Sequence, residues 1–175
     1  LGKISQVLRD NSAELGALDS LENGNVYSHM QHDAEGGAFM LDYFCSIANE
    51  LKGESTQLDN NLHYTRFDPF GVVARLLPFN HPIQSLGSGI GAPLLTGNTV
   101  IIKPSEMTPN MSRVIAEIVA EAFSPEEVAL FEGTAEVSTY LTSLAFDHIF
   151  FTGSPAVGKL VMAAAAKNLT SVTLE

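Results

Sequence analysis

Basic residues are scarce in this sequence. Nine lysines and arginines stand against twenty acids in 175 residues, a formal net charge of −11. That balance excludes a general nucleic-acid binder, which needs a basic surface to displace phosphate counterions. Tryptophan is absent and cysteine occurs once, at Cys45, so neither an intrachain disulfide nor a cysteine metal cluster can form. A reducing, cytoplasmic compartment is the expectation. Long apolar runs are missing too. The longest near the C-terminus, Leu160 to Ala166, is too short and too alanine-rich to span a bilayer, and no membrane partner is expected. The opening Leu1-Gly2-Lys3 carries no basic stretch leading into an apolar run, and Thr173-Leu174-Glu175 stops within a strand-like segment. Both ends read as cuts in a longer chain.

What is present is globular: 45% hydrophobic and 17% charged residues allow a sizeable core. Residues 1–59 carry ten acids against three bases, and residues 60–175 ten against six. No block of like charge occurs, so a solvated helix face on the opening helices is expected. Asn11 with Glu14 suggests a capping box for a helix with Leu15, Leu18 and Leu21 on one stripe, ending at Asn23-Gly24. A second helix is expected from Asp33 to Leu51 on the stripe Phe39, Tyr43, Phe44, Ile47 and Leu51, closed by Gly53, with Cys45 packed beside it. From Leu58 the chain turns β-prone. A polar extended stretch reaches Asp68-Pro69, then an apolar run begins at Gly71.

Beyond that point strands and helices alternate. Strands are expected at Val72–Leu77, Thr99–Ile102, Val128–Phe131, His148–Phe151 and Ser171–Leu174, with helices at Ile83–Leu95, Met111–Phe123, Val137–Leu144 and Ala156–Lys167. Continuously apolar strands separated by helices are what a parallel sheet covered on both faces requires. The fold class is therefore α/β: a Rossmann-like, doubly wound, mostly parallel sheet of about five strands, preceded by two helices and an extended segment. In such sheets ligands bind beyond the C-terminal strand ends.

The residues following each strand are thus the place to look for chemistry. After the first, Pro78-Phe79-Asn80-His81-Pro82 fixes the Asn80 amide. Read alone, it favours a turn asparagine over an oxyanion donor. After the second, Lys103-Pro104-Ser105-Glu106 offers either a cation and an acceptor for a polyhydroxylated ligand or a surface pair flanking a turn. After the fourth, Phe151-Thr152-Gly153-Ser154-Pro155 opens a helix with Ser154 as candidate cap, which is either a plain capped helix or an anion site. Gly87-Ser88-Gly89-Ile90-Gly91-Ala92 satisfies a dinucleotide pattern formally. It sits inside a helix instead of at a strand end, so its small residues are expected to serve packing. His29, His32 and Asp33 lack a further ligand at suitable spacing and are expected in a solvated loop, with no metal site.

Taken in order, Asp68-Pro69-Phe70-Gly71-Val72-Val73, Pro78-Phe79-Asn80-His81-Pro82, Gly97-Asn98-Thr99-Val100-Ile101-Ile102-Lys103-Pro104-Ser105-Glu106, Phe151-Thr152-Gly153-Ser154-Pro155-Ala156-Val157-Gly158 and Val172-Thr173-Leu174-Glu175 resemble the aldehyde dehydrogenase superfamily. The resemblance implies NAD(P)-dependent oxidation of an aldehyde to a carboxylic acid, through attack by a cysteine and hydrolysis of a thioester. By that resemblance Asn80 stabilises the oxyanion and Glu175 is the general base. The implied cofactor contacts are Pro78, Phe79, Lys103, Ser105, Glu106, Gly133, Phe151, Thr152, Gly153, Ser154 and Val157. NAD is the expected cofactor, with NADP possible, and a homo-oligomer is expected.

The implied layout is N-terminal helices over 1–57, an oligomerisation-like arm over 58–70, and the cofactor-binding core over 71–175. The nucleophilic cysteine and its catalytic domain are not in these residues, and Cys45 lies in the wrong region to substitute. Phe79 and His81 depart from the family's usual aromatics around the catalytic asparagine. The rival expectation is a non-catalytic nucleotide-binding or structural module derived from the same fold.

Overall fold

The computed structural model describes all residues from Leu1 to Glu175. Its centre is β3 (Val72–Leu76), whose last four residues are buried on both faces of the sheet. Five parallel strands run in the order β5-β4-β3-β6-β7, with β4 at Thr99–Lys103, β5 at Val128–Leu130, β6 at His148–Phe151 and β7 at Ser171–Leu174. The chain winds outward from β3 to β5, then returns to pair β6 with the other side of β3. This reversal opens a crevice at the C-terminal ends of β3 and β6.

Register makes that end level. Leu76 is paired with Lys103 and with Phe151, and Phe151 with Leu174, so the residues that follow emerge along one edge. At the opposite end, Gly71 adopts a φ of 128°, and Asp147 accepts a hydrogen bond from the Val72 N–H at 2.7 Å, which aligns β3 with β6.

Helices α4 (Pro82–Leu95) and α5 (Pro109–Ala122) cover one face together with α1 (Gly2–Asp10), α2 (Ser12–Asn23) and α3 (Tyr27–Ser46). Sixteen buried residues form the core there, including Leu8, Leu41, Leu86, Ile90, Ile102 and Ile115. Helices α6 (Ala135–Ser143) and α7 (Pro155–Ala165) cover the other face over a core of eight, centred on Ile149, Phe151 and Val161. Each fully buried aliphatic side chain contributes roughly 1.5–3 kcal/mol through removal from water.

The glycine run on α4 lies inside a helix and serves close packing. A Cβ at Gly87 would sit 2.3 Å from the Gly37 carbonyl oxygen of α3, and one at Gly91 would meet the Phe44 ring at 2.5 Å. The glycines bring two helices together as well as helix and sheet.

The N-terminal region departs from the expected pattern. Three helices, not two, precede the sheet, because Ile4 and Leu8 give α1 its own buried stripe. Asn11 does not open α2 with a capping bond; its side-chain amide donates to Val7 O at 2.8 Å and closes α1. Gly24, in the left-handed region with φ 79°, ends α2 as expected. Helix α3 begins and ends earlier than the aromatic stripe suggested and buries Met30, Ala34, Gly37, Ala38 and Leu41. Small residues win that face because α4 approaches closely. Phe39, Tyr43 and Leu51 are exposed, as is Cys45. His29 and His32 lie on α3 instead of in a loop.

The extended segment is an antiparallel hairpin of β1 (Ser55–Leu58) and β2 (Asn61–Tyr64), starting before Leu58 and detached from the main sheet. The acidic opening is not wholly a solvated face. Asp19 and Asp33 are buried, and Glu22 caps α5 by accepting from the Asn110 and Met111 N–H groups at 2.9 and 2.7 Å.

Candidate functional site

A cavity of about 980 Å³ opens along the C-terminal edge of the sheet. Its walls include Pro78, Phe79 and Asn80 after β3; Lys103, Ser105 and Glu106 from β4 and its loop; Phe151, Thr152, Gly153, Ser154 and Val157 around the start of α7; and Glu175 after β7. Twelve of the thirteen residues singled out from the sequence thus meet in one place. Gly133 is the exception. It adopts φ 143° before α6, where an added Cβ would meet Val137, and it does not line the cavity.

Lys103 is 3% exposed although charged. Its ammonium donates to Pro104 O at 2.5 Å and to Glu106 Oε2 at 3.2 Å, so the cation is fixed in the wall with one of its three protons left to donate. A hydrogen bond from Glu106's own backbone N–H, then Lys103, hold the Glu106 carboxyl below the usual carboxylate range against desolvation. The pair therefore presents a donor and an ionised acceptor side by side, which matches the vicinal hydroxyls of a ribose. Ser105 Oγ accepts from Met107 N–H at 3.2 Å and steadies this turn.

Pro155 at the first helical position and Ser154 as N-cap start α7 in the predicted manner, with Ser154 Oγ accepting from Val157 N–H at 3.4 Å. Pro155 has no N–H, and the Val157 and Gly158 N–H groups are taken by Ser154 Oγ and O, so Ala156 carries the one N–H of the first turn left for an anion, next to the cavity-lining Ser154 and Val157. Between α6 and α7 the cavity continues as a slot with an apolar wall of Leu160, Val161 and Ala164 facing the hydroxyl-bearing Ser138, Thr139 and Thr142.

At the other end stand Asn80 and Glu175. The Asn80 carbonyl accepts from the side-chain amides of Asn23 and Asn25, at 3.2 and 2.9 Å, and His81 Nδ1 lies 2.6 Å from Asp33 Oδ2. The loop carrying Asn80 is therefore gripped from both α2 and α3, a support its pentapeptide did not disclose. Glu175 is tied to β6 through its backbone: its N–H donates to Phe151 O at 3.0 Å and its carbonyl accepts from Gly153 N–H at 3.1 Å. Its Oε2 accepts from the Thr152 hydroxyl at 3.0 Å. Sequence reading passed over Arg75, whose only signal was a charge inside an apolar strand. It is 1% exposed, and its Nη1 donates to Thr152 Oγ1 at 2.9 Å.

A parallel doubly wound sheet with a cavity at its C-terminal edge defines a doubly wound α/β protein with a place for a ligand at its switch point, and comparison with known proteins narrows the class. The aldehyde dehydrogenase family profile matches residues 1–175, and the chain belongs to that family. It is 35% identical over 178 residues to the aldehyde dehydrogenase tropH of Talaromyces stipitatus, covering 99% of this chain and 35% of that protein. To human aldehyde dehydrogenase 1A1 it is 35% identical over 184 residues, covering 100% of this chain and 36% of the relative. The solved structure of PnpE in complex with nicotinamide adenine dinucleotide superposes with a TM-score of 0.91 at 31% identity, over 99% of this chain and 37% of that one. The chain thus spans about a third of the length of the relatives it matches.

Proposed function

We propose that this chain is the cofactor-binding portion of an NAD(P)-dependent aldehyde dehydrogenase. The observation that carries the reading is the meeting, in one cavity, of a ribose-type Lys103–Glu106 pair, the α7 N-terminus, Asn80 and Glu175. Lys103 and Glu106 would hold the adenosine ribose, Ser154, Val157 and Gly153 the diphosphate, and Pro78, Phe79, Phe151 and Thr152 the nicotinamide half. When bound, the nicotinamide supplies a hydride acceptor. The PnpE structure, solved with the dinucleotide at 31% identity, supports this cofactor. Glu106 favours NAD over NADP, because a carboxylate facing the ribose disfavours an added 2′-phosphate. NADP is the second candidate.

Asn80 would donate its side-chain N–H to the oxygen of the aldehyde as charge develops there. Glu175 would accept a proton from the water that releases the carboxylic acid. Cys45, exposed on α3, is not among the cavity residues, so the attacking thiolate belongs to a longer polypeptide. In that polypeptide, residues 1–57, 58–70 and 71–175 would act as helical cover, arm and cofactor core. The hairpin, all of whose residues are exposed, would pair across a homo-oligomer in the cytoplasm.

Isothermal calorimetry with NAD tests the proposal on the chain itself. Saturable binding is expected, with Glu106→Gln weakening it roughly 5- to 20-fold through loss of a charged hydrogen bond. Absence of binding at millimolar NAD overturns the proposal.

A further inference from the structure

Arg75 is a buried cation in the middle of β3. The room for it comes from Gly89 of α4, where an added Cβ would fall 2.3 Å from Arg75 Nε. Its guanidinium lies 3.8 Å from the centroid of the Phe150 ring, and its Nε has no hydrogen-bond partner. A buried charge with an unpaired donor is costly unless another interaction uses it. Desolvation pushes its pKa down to about 10, with the Glu175 charge opposing, so the group stays protonated at neutral pH.

The direction of the bonds beyond it follows from chemistry alone. A guanidinium only donates, so at the 2.9 Å contact the Thr152 hydroxyl must accept from Arg75. That hydroxyl has one proton, and its other close partner is Glu175 Oε2 at 3.0 Å. The proton therefore points at the carboxylate. The chain reads Arg75 to Thr152 to Glu175, with one sense only. A direct bidentate arginine pair would occupy both carboxylate oxygens. The hydroxyl spacer engages Oε2 and leaves Oε1 for water.

We propose that Arg75 and Thr152 are positioning residues for Glu175: the buried guanidinium orients the Thr152 hydroxyl, and the hydroxyl fixes the carboxylate by one oxygen. This rests on the reading of Glu175 as the base for its catalytic meaning, but the linkage itself can be measured without turnover.

The test is NMR of the guanidinium nitrogens and protons in the 175-residue chain labelled with ¹⁵N-arginine. Glu175→Gln is expected to shift the Arg75 resonances. The same substitution in a Thr152→Val background is expected to move them clearly less, by the direct effect of the charge alone, and Thr152→Ser, which keeps the hydroxyl, to restore the full response. All three changes lie at the cavity wall and leave the core side chains intact. If Glu175→Gln leaves the Arg75 signals in place, or moves them equally with and without the Thr152 hydroxyl, the proposal is overturned. Deacylation by the Glu175→Gln variant of the longer enzyme reads the base assignment separately, so the two can fail independently.

Discussion

Asp19 shows how much a single buried carboxyl can do. It is 1% exposed on α2, accepts from Asn23 Nδ2 through one oxygen, and leaves the other without a partner. Desolvation and then the nearby Asp33 raise its pKa from 3.8 to about 7, while His81 opposes. The folded chain therefore keeps a proton that the unfolded chain releases. Stability from this group is full below about pH 4 and declines as pH rises through about 4 to 7. Asp19→Asn is expected to become more stable than the parent across that window by on the order of 2–4 kcal/mol, levelling off above it. Urea midpoints at several pH values measure the difference, and a constant offset would contradict it. The same scale explains what sequence reading could and could not see. Lys103, Glu106 and Ser154 lie at or just past strand ends, which marked them as candidates with a plain structural alternative, and Glu175 took its role only from the family resemblance. Arg75, Asn23, Asn25 and Asp33 act through partners 48 to 77 residues away, and no local pattern encodes such a partner.

At the level of elements, the contact between α3 and α4 is set by what is missing from the side chains. Gly37 and Gly87 bring two backbones so close that Gly87→Ala would press a methyl carbon to 2.3 Å from Gly37 O. That atom belongs to a rigid helix and cannot yield cheaply. A loss of roughly 1–3 kcal/mol is expected, read as a lowered midpoint in thermal or urea unfolding. An unchanged midpoint would show that the helices can separate at no cost. The glycine pattern was recognisable as helical from its position after Pro82. The aromatic stripe on α3 misled because periodicity names an apolar face without saying which face a neighbour takes. Phe39 and Tyr43 had the right spacing, but Ala34, Ala38 and Leu41 had the right size for a helix packed this closely.

Across the whole molecule, many apolar side chains remain outside, among them Phe39 and Tyr43 on α3 and Leu58, Leu62 and Tyr64 on the hairpin. A hairpin with open edges is a template for pairing. Sedimentation velocity is expected to show concentration-dependent association of the chain, reduced by Leu62→Lys with Tyr64→Lys. A strictly monomeric parent chain at about 100 μM would remove the hairpin as an oligomerisation element, since stable interfaces persist well below that range. The sheet order was legible only in outline. Alternating strands and helices implied a parallel sheet, but the return of β6 to β3 is a long-range pairing that strand composition cannot specify.

That return also sets an order of assembly. During synthesis β3 gains β4 after a short helical crossover, and helices α1 to α5, once β5 has joined β4, can then close over a core of sixteen residues. Its other edge waits for β6, whose residues pair 75 positions later, and long-range closure is entropically slow. Amides of β6 and β7, backed by a core of only eight residues, are expected to exchange with solvent faster than those of β3 and β4. Until β6 arrives, Arg75 has neither Thr152 nor the Phe150 ring. The last strands to dock thus complete both the sheet and the surroundings of its one buried arginine, so that a chain which stalls before them leaves the ribosome with a bare charge along an unfinished edge.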